Sequence, residues 1–189
     1  MAVRAVAGSP ARSFARTVPA WAWLTAIVGL SSVVRLFFAL RIDAPWIVVD
    51  ELIYSELARG VAAGDGFAIR GVATHGYGFV YPVVIAPAYV LFDSLPDAYA
   101  AVKTINAVVV SLAAVPAYFL ARRVLPVGLS LFAALLAVAL PSLLYAGEVM
   151  TENAFYPIFL AVVLVFVLTA AYACGSESKS RYAGAITSG

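Results

Sequence analysis

Four long runs of apolar residues dominate the hydrophobic pattern, and they predict an all-α integral membrane protein with about four transmembrane helices. The predicted spans cover residues 21–40, 97–120, 125–144 and 155–173. Each run holds about 20 residues, which as a helix crosses a hydrocarbon core of roughly 30 Å. Residues 41–96 separate the first two spans, and their mixed polar and apolar pattern predicts a long outer loop containing short juxtamembrane helices.

A fifth apolar segment, residues 79–92, is interpreted as lying at the membrane interface without crossing the bilayer. Its 14 residues include Pro82 and Pro87, and they extend only about 21 Å as a helix. If this segment does not cross, Arg122 and Arg123 lie inside the cell, as the positive-inside rule prefers. The prediction is a multi-pass cell-membrane protein with cytoplasmic termini and its acidic residues outside.

Composition supports this class, because 64% of residues are hydrophobic and only 12% are charged. Soluble domains are about half apolar and a quarter charged. A single cysteine, Cys174, excludes an intramolecular disulfide. Residues 1–20 contain three arginines and predict a basic cytoplasmic leader, while the Gly/Ser-rich residues 174–189 predict a disordered cytoplasmic tail.

The densest chemistry in the outer loop lies in WIVVDELIYSELARG, residues 46–60, where Asp50 and Glu51 are adjacent. A carboxylate can act as general base toward a hydroxyl, and two carboxylates could hold a divalent cation such as Mg²⁺ or Mn²⁺ through oxygen ligands. A structural reading competes with both roles. Asp50 could cap a helix that Gly60 ends, and Glu56 with Arg59 has the spacing of a surface ion pair.

Further polar residues fall on the same predicted outer side, and each has a structural alternative. These residues are His75, the pair Lys103 and Asn106, and the acids Glu148 and Glu152. A lysine at a membrane surface can hold a lipid phosphate, or it can simply extend its ammonium group to water. Arg35 has the same two readings, snorkelling outward or facing the helix bundle. The common placement favours group transfer from a lipid-phosphate donor.

Four motifs occur in a distinctive order along the chain. They are D-E-x-x-Y-x-x-x-A-x-G from Asp50, H-G-x-G-x-x-Y-P from His75, A-x-K-x-x-N-A from Ala101 before A-R-R from Ala121, and P-S-L-L-Y…T-E-N-x-F from Pro141. In this order they resemble the N-terminal half of GT-C glycosyltransferases of the protein-O-mannosyltransferase and aminoarabinose-transferase type. The resemblance covers roughly residues 24–173.

That resemblance implies an enzyme that moves a sugar from a polyprenyl-phosphate donor to a hydroxyl acceptor at the outer face of the bilayer. Asp50 would be the base, and Glu51 would support it or a metal ion. Donor or acceptor binding would involve Tyr54, His75, Tyr81, Lys103, Asn106 and Glu152. Such enzymes have more spans, so we expect a partner chain or a C-terminal half; no nucleic-acid partner is expected.

Two other functions remain open at the level of sequence. A non-catalytic membrane scaffold or lipid-binding subunit would carry the same apolar helices, but its acidic pair and Lys103 would tolerate neutral substitution. A transporter would favour polar groups near the bilayer midplane, whereas the charges here cluster at one predicted face.

Overall fold

The computed structural model describes residues 18–42, 49–139 and 145–187, and it is mostly helical, with 76% of residues in helices. The helices are α1 (Ala20–Ala39), α2 (Val49–Ala63), α3 (Val80–Leu91), α4 (Leu95–Ser111), α5 (Ala114–Ala121), α6 (Val127–Ala139) and α7 (Glu152–Thr187). A two-stranded antiparallel hairpin, β1 (Ala68–Ile69) with β2 (Val72–Ala73), follows α2. A short 3₁₀ turn, Tyr145–Gly147, precedes α7.

Three helical stretches in the described ranges are long and apolar enough to cross a membrane: Ala20–Ala39, Leu95–Ala121 and Glu152–Cys174. They match the first, second and fourth predicted spans. The third predicted span contains α6, whose 13 residues extend about 20 Å. Residues 140–144 of that span lie outside the described residues, as does most of the predicted leader.

Helix α1 begins directly after Pro19, whose backbone is extended. Proline is tolerated at the start of a helix because it lacks the backbone N–H that a residue inside a helix donates. The outward surface of α1 and α7 is apolar, with Leu30, Phe37, Phe159 and Phe166 all exposed. Large exposed apolar surfaces are rare on soluble monomers and mark sites of membrane or protein contact. This exterior agrees with the predicted membrane location.

The second candidate span has a local irregularity at Leu112 and Ala113, between α4 and α5. Pro116 follows four residues after Leu112, and a proline ring inside a helix clashes with the carbonyl four residues earlier while supplying no N–H. Ala113 and Val115 instead donate to carbonyls three residues back. The backbone stays helical through Leu112 and Ala113, so residues 95–121 still form one 27-residue stretch that corresponds to the predicted second span.

Contacts along the bundle show that α1 runs antiparallel to the α4–α5 pair. Lys103 contacts Ile42 just after α1, Ser111 donates to Ser31 in the middle of α1, and Tyr118 shares an apolar cluster with Leu24. The α4–α5 pair therefore ends, at Arg122 and Arg123, opposite the end that carries Glu51. We call the Glu51 end the acidic end; its assignment to the outer face remains a prediction.

Arg35 is fully buried in the bundle, and the prediction that it snorkels to water was therefore wrong. Its guanidinium donates to the Val138 carbonyl at 2.7 Å and to the Ser31 hydroxyl at 3.3 Å. The last carbonyls of a helix have no partner within that helix. Arg35 thus reaches the last turn of α6, a contact between residues 103 apart that local sequence does not reveal.

Helix α2 corrects two local predictions. It begins by Val49, so Asp50 lies inside its first turn, and it continues through Gly60 to Ala63. Gly60 is needed for a close approach, because a Cβ there would lie 2.7 Å from the Gly66 carbonyl oxygen. Glycine at this position therefore serves packing against the following loop and not helix termination.

The hairpin β1–β2 lies in a glycine-rich segment for which the sequence predicted only turns. Its two central residues both have positive φ, Arg70 at 52° and Gly71 at 79°. A two-residue turn of this type favours Asn-Gly or Gly-Gly. For a side chain such as arginine the left-handed region costs about 1–2 kcal/mol.

Helix α3 corresponds to the predicted interfacial segment. Its 12 residues extend about 18 Å, too short to cross a bilayer alone. Tyr81, Ile85 and Ala88 are buried on the face toward the core cluster that also contains Ala58 and Val102. The segment is therefore packed against α2 and α4, and its depth in the membrane remains a prediction.

Helix α7 continues to Thr187, whereas the composition of residues 174–189 predicted a disordered tail. Once a helix is nucleated, each further residue adds a hydrogen bond at little cost. The apolar part of α7 supplies that nucleus, so the polar residues extend it.

Candidate functional site

Glu51 is the central side chain of the acidic end and is only 3% exposed. Its Oε1 accepts hydrogen bonds from the Tyr99 hydroxyl at 3.1 Å and from the Val149 backbone N–H at 3.0 Å. These contacts join the start of α2 to α4 and to the segment that precedes α7. The Tyr99 hydroxyl also lies 3.3 Å from the Gly147 carbonyl oxygen, so its single proton has two acceptors within reach.

The second carboxylate oxygen of Glu51, Oε2, is buried and has no hydrogen-bond partner among the described residues. An unpaired buried acceptor costs free energy, of the order of 1–3 kcal/mol. Such an atom is uncommon in a folded protein. It marks Glu51 as more than a packing residue.

Lys103 is 3% exposed and does not extend into water, so the snorkelling alternative was wrong. Its ammonium donates to the Ile42 carbonyl, directly after α1. It also lies 4.3 Å from the centroid of the Tyr99 ring, a distance at which a cation is attracted to the ring face. Lys103 therefore links α4 to the end of α1.

Asn106 completes a second buried network one turn further along α4. Its Oδ1 accepts from the Tyr81 hydroxyl at 3.1 Å, and its Nδ2 donates to the Glu148 carbonyl at 2.9 Å. Asn153 donates to that same carbonyl, also at 2.9 Å. The backbone at Glu148 is consequently held by amides from two helices.

Tyr54 connects the first motif to the second through aromatic contacts. Its ring meets Tyr81 edge to face at a centroid distance of 5.7 Å and Tyr77 at 6.4 Å. His75 is exposed and lines a cavity of about 150 Å³ with Thr74, Tyr77 and the apolar residues Leu57, Phe67 and Phe79. The structure thus brings Tyr54 and Tyr81 together and leaves His75 at the rim.

Asp50 and Glu152 are exposed, in contrast to Glu51. Glu152 accepts from the neighbouring Thr151 hydroxyl at 3.3 Å. Glu148 is partly exposed, and its pKa is raised by burial first and then by the carboxylates of Glu51 and Glu152. Several acidic side chains therefore lie at this end of the bundle. In the described part of the chain, no basic side chain pairs with Glu148.

The divalent-cation site predicted at Asp50 and Glu51 stays a prediction. One carboxylate is exposed, and the other is buried and engaged with Tyr99 and Val149. Within residues 18–42, 49–139 and 145–187, no three His, Cys, Asp or Glu side chains form a group suited to a metal ion.

Two residues of the site were missed from sequence, Tyr99 and Asn153. Tyr99 lies four residues before Lys103 on the same helix, the spacing at which side chains share one face. Asn153 belongs to the T-E-N motif, but the role had been given to Glu152. An asparagine beside an apolar helix start is the signal that could have identified it.

Of the predicted site residues, the structure gathers Glu51, Tyr54, Tyr81, Lys103 and Asn106 into linked networks at the acidic end. Asp50, His75 and Glu152 lie exposed outside these networks. No protein-family profile, curated protein or solved structure matches this chain. Its function is therefore inferred from motifs and geometry.

Proposed function

We propose that this chain is a GT-C-type membrane glycosyltransferase, or the N-terminal catalytic part of one, that uses a polyprenyl-phosphate sugar. The supporting observation is that residues of all four sequence motifs meet at one end of the helix bundle. Glu51, Tyr81, Asn106 and Asn153, one from each motif, all belong to its buried hydrogen-bond networks. The order of these motifs along the chain and their common location in space both support the proposal.

Asp50 is the proposed base. It is exposed beside the buried Glu51, and Glu51 fixes the first turn of α2 through Tyr99 and Val149. A base must be held in place to act on a bound hydroxyl, and a rigid helix turn provides this. Glu51 is accordingly a positioning residue, and Asp50 is the residue that would touch the acceptor.

The reaction would be an inverting transfer in one displacement. The acceptor oxygen bonds to the anomeric carbon, the bond from that carbon to the donor phosphate oxygen breaks, and Asp50 takes the hydroxyl proton. The polyprenyl phosphate leaves with the electron pair of the broken bond. Catalysis of this kind requires a poised base and stabilisation of the charge on the leaving phosphate.

Lys103 and Asn106 have a different proposed role from the one the resemblance implied. Both already bind backbone carbonyls, at Ile42 and Glu148. They are positioning residues that hold the loops around Asp50, and the donor phosphate would be held by groups still to be identified, including those of a partner chain or C-terminal half.

The test is sugar transfer in proteoliposomes that contain the full chain, any co-purifying partner and a polyprenyl-phosphate sugar. Asp50→Asn keeps the shape and removes the base, so we expect a rate loss of about 10²–10⁴-fold. Asp97→Asn, at another exposed acid near the acidic end, is the matched control and keeps the wild-type rate. Near-normal transfer by Asp50→Asn would remove Asp50 as the base.

One observation favours the alternative, a non-catalytic scaffold or lipid-binding subunit. Glu51, Lys103 and Asn106 all have partners inside the protein, as residues that only stabilise a bundle would. This alternative predicts that Asp50→Asn leaves every cellular function of the chain intact.

A further inference from the structure

A cavity that the proposed function does not use lies between α2, the hairpin and the α3–α4 connection. Its volume is about 440 Å³, within the range of small-molecule sites. Gly60 forms part of its wall, where the loop at Gly66 packs directly on α2. The cavity is therefore a consequence of the tight α2–hairpin contact.

Charged side chains of both signs line this cavity. Arg59 and Glu56 form an ion pair at 2.8 Å, so each largely satisfies the other. Arg70, Asp65 and Asp93 also line the cavity, and their side chains make no hydrogen bond or ion pair within the described part of the chain. One cation and two carboxylates thus remain available to a ligand.

Arg70 occupies a position that its own backbone disfavours. Its φ of 52° lies in the left-handed region, in a turn for which asparagine or glycine is better suited. Strained non-glycine residues occur most often at functional sites. Arg70 therefore combines a strained turn position with a side chain that lines the cavity.

The mixed charge decides the class of ligand. A simple anion would be attracted by Arg70 but repelled by Asp65 and Asp93. A simple cation would be attracted by the two aspartates but repelled by Arg70. A zwitterion with a phosphate and a primary ammonium satisfies both signs, because arginine binds phosphate in a bidentate manner and carboxylates accept from ammonium. Phe92 and Leu95, both exposed and apolar, line the same cavity and offer contact to an attached acyl chain.

We propose that this cavity binds a phosphoethanolamine group, with Arg70 on the phosphate and Asp65 or Asp93 on the ammonium. The shared chemistry has two sources, the headgroup of a membrane lipid and a free phosphoethanolamine ester. The site is independent of sugar transfer at Asp50, so either proposal can fail without the other.

Binding is measured by calorimetry on the purified full chain with soluble glycerophosphoethanolamine, and by native mass spectrometry after exchange into phosphatidylethanolamine or phosphatidylglycerol. We expect saturable binding of the ethanolamine lipid and little binding of the glycerol lipid, inorganic phosphate or ethanolamine alone. Binding of both the soluble ester and the lipid indicates a headgroup site, and binding of the lipid alone indicates that the acyl chain contributes. Equal binding of the two lipids, or binding of none, overturns the proposal.

Arg70→Gly is the decisive variant, since glycine suits the turn and removes only the cation. We expect about a tenfold or greater loss of affinity for the ethanolamine ligand, the effect of losing one charge-assisted contact, with an unchanged or raised melting temperature. Asp65→Asn combined with Asp93→Asn should weaken the same binding, while Arg123→Asn, an exposed cation at the opposite end, should not. Unchanged affinity in Arg70→Gly, or a lowered melting temperature, overturns the role of Arg70.

Discussion

Replacing Glu51 by alanine tests whether this carboxylate holds the acidic end together. The change removes the acceptor for Tyr99 and for the Val149 N–H, which is fully buried. Two hydrogen bonds to a charged group stabilise by about 3–6 kcal/mol in total. Relief of carboxylate burial and the second acceptor of Tyr99, the Gly147 carbonyl, offset part of this. We therefore expect a net destabilisation of about 2–4 kcal/mol.

The assay is thermal unfolding of the purified chain in detergent, followed by circular dichroism. For a chain of this size, 1 kcal/mol corresponds to about 2–4 °C, so Glu51→Ala should lower the melting temperature by about 4–16 °C. Glu51→Gln keeps one acceptor oxygen and should lose about 1 kcal/mol. Asp50→Ala, at the exposed neighbour, should change stability by less than about 0.5 kcal/mol. Equal effects at positions 50 and 51 would refute the assignment of Glu51 as the buried anchor.

Two further predictions concern stability. Gly60→Ala places a Cβ 2.7 Å from the Gly66 carbonyl oxygen and should lower the free energy of unfolding by about 1–3 kcal/mol. Gly29→Ala, at a helix position with open space around it, should be neutral or stabilising in the same melting assay. Equal melting temperatures for the two variants would contradict the close approach at Gly60. Because the pKa of Glu148 is raised, the folded state binds the carboxyl proton more tightly than the unfolded state does. Protonation of Glu148 therefore stabilises the fold. This contribution is complete below the ordinary pKa of 4.5 and is lost as the pH rises through the pKa of the folded state. Glu148→Gln should therefore melt above wild type at pH 7.5, and the difference should shrink toward pH 4.5; a difference independent of pH would contradict it.

Apolar run length was the most reliable guide to the fold. The predicted span 21–40 and the observed helix Ala20–Ala39 differ by one residue at each end, because a predominantly apolar run next to Pro19 determines both. Interruptions were harder to predict. Pro116 lies next to a local change of hydrogen bonding within the second span, and Gly60 does not end α2.

The sequence predicted which residues form the candidate site better than it predicted what each residue does. Sequence motifs identified Glu51, Lys103 and Asn106, but the burial of each and its backbone partner depend on contacts between residues 42 to 98 positions apart. The exposure of Asp50 beside the burial of Glu51 follows from which side of the first turn of α2 faces Tyr99 and Val149. Local spacing gives the face of a helix, and only tertiary packing shows which neighbour covers it.

The oxygen shared by Asn106 and Asn153 belongs to the main chain of Glu148, so this clamp does not depend on the side chain at position 148. Evolution is then free to vary that acid, while each asparagine is constrained by its need to reach one fixed carbonyl. Among any relatives of this chain, the two amides should be retained or lost as a pair. Such paired retention or loss would be a better sign that α4 and α7 are joined than the identity of the surrounding acidic residues.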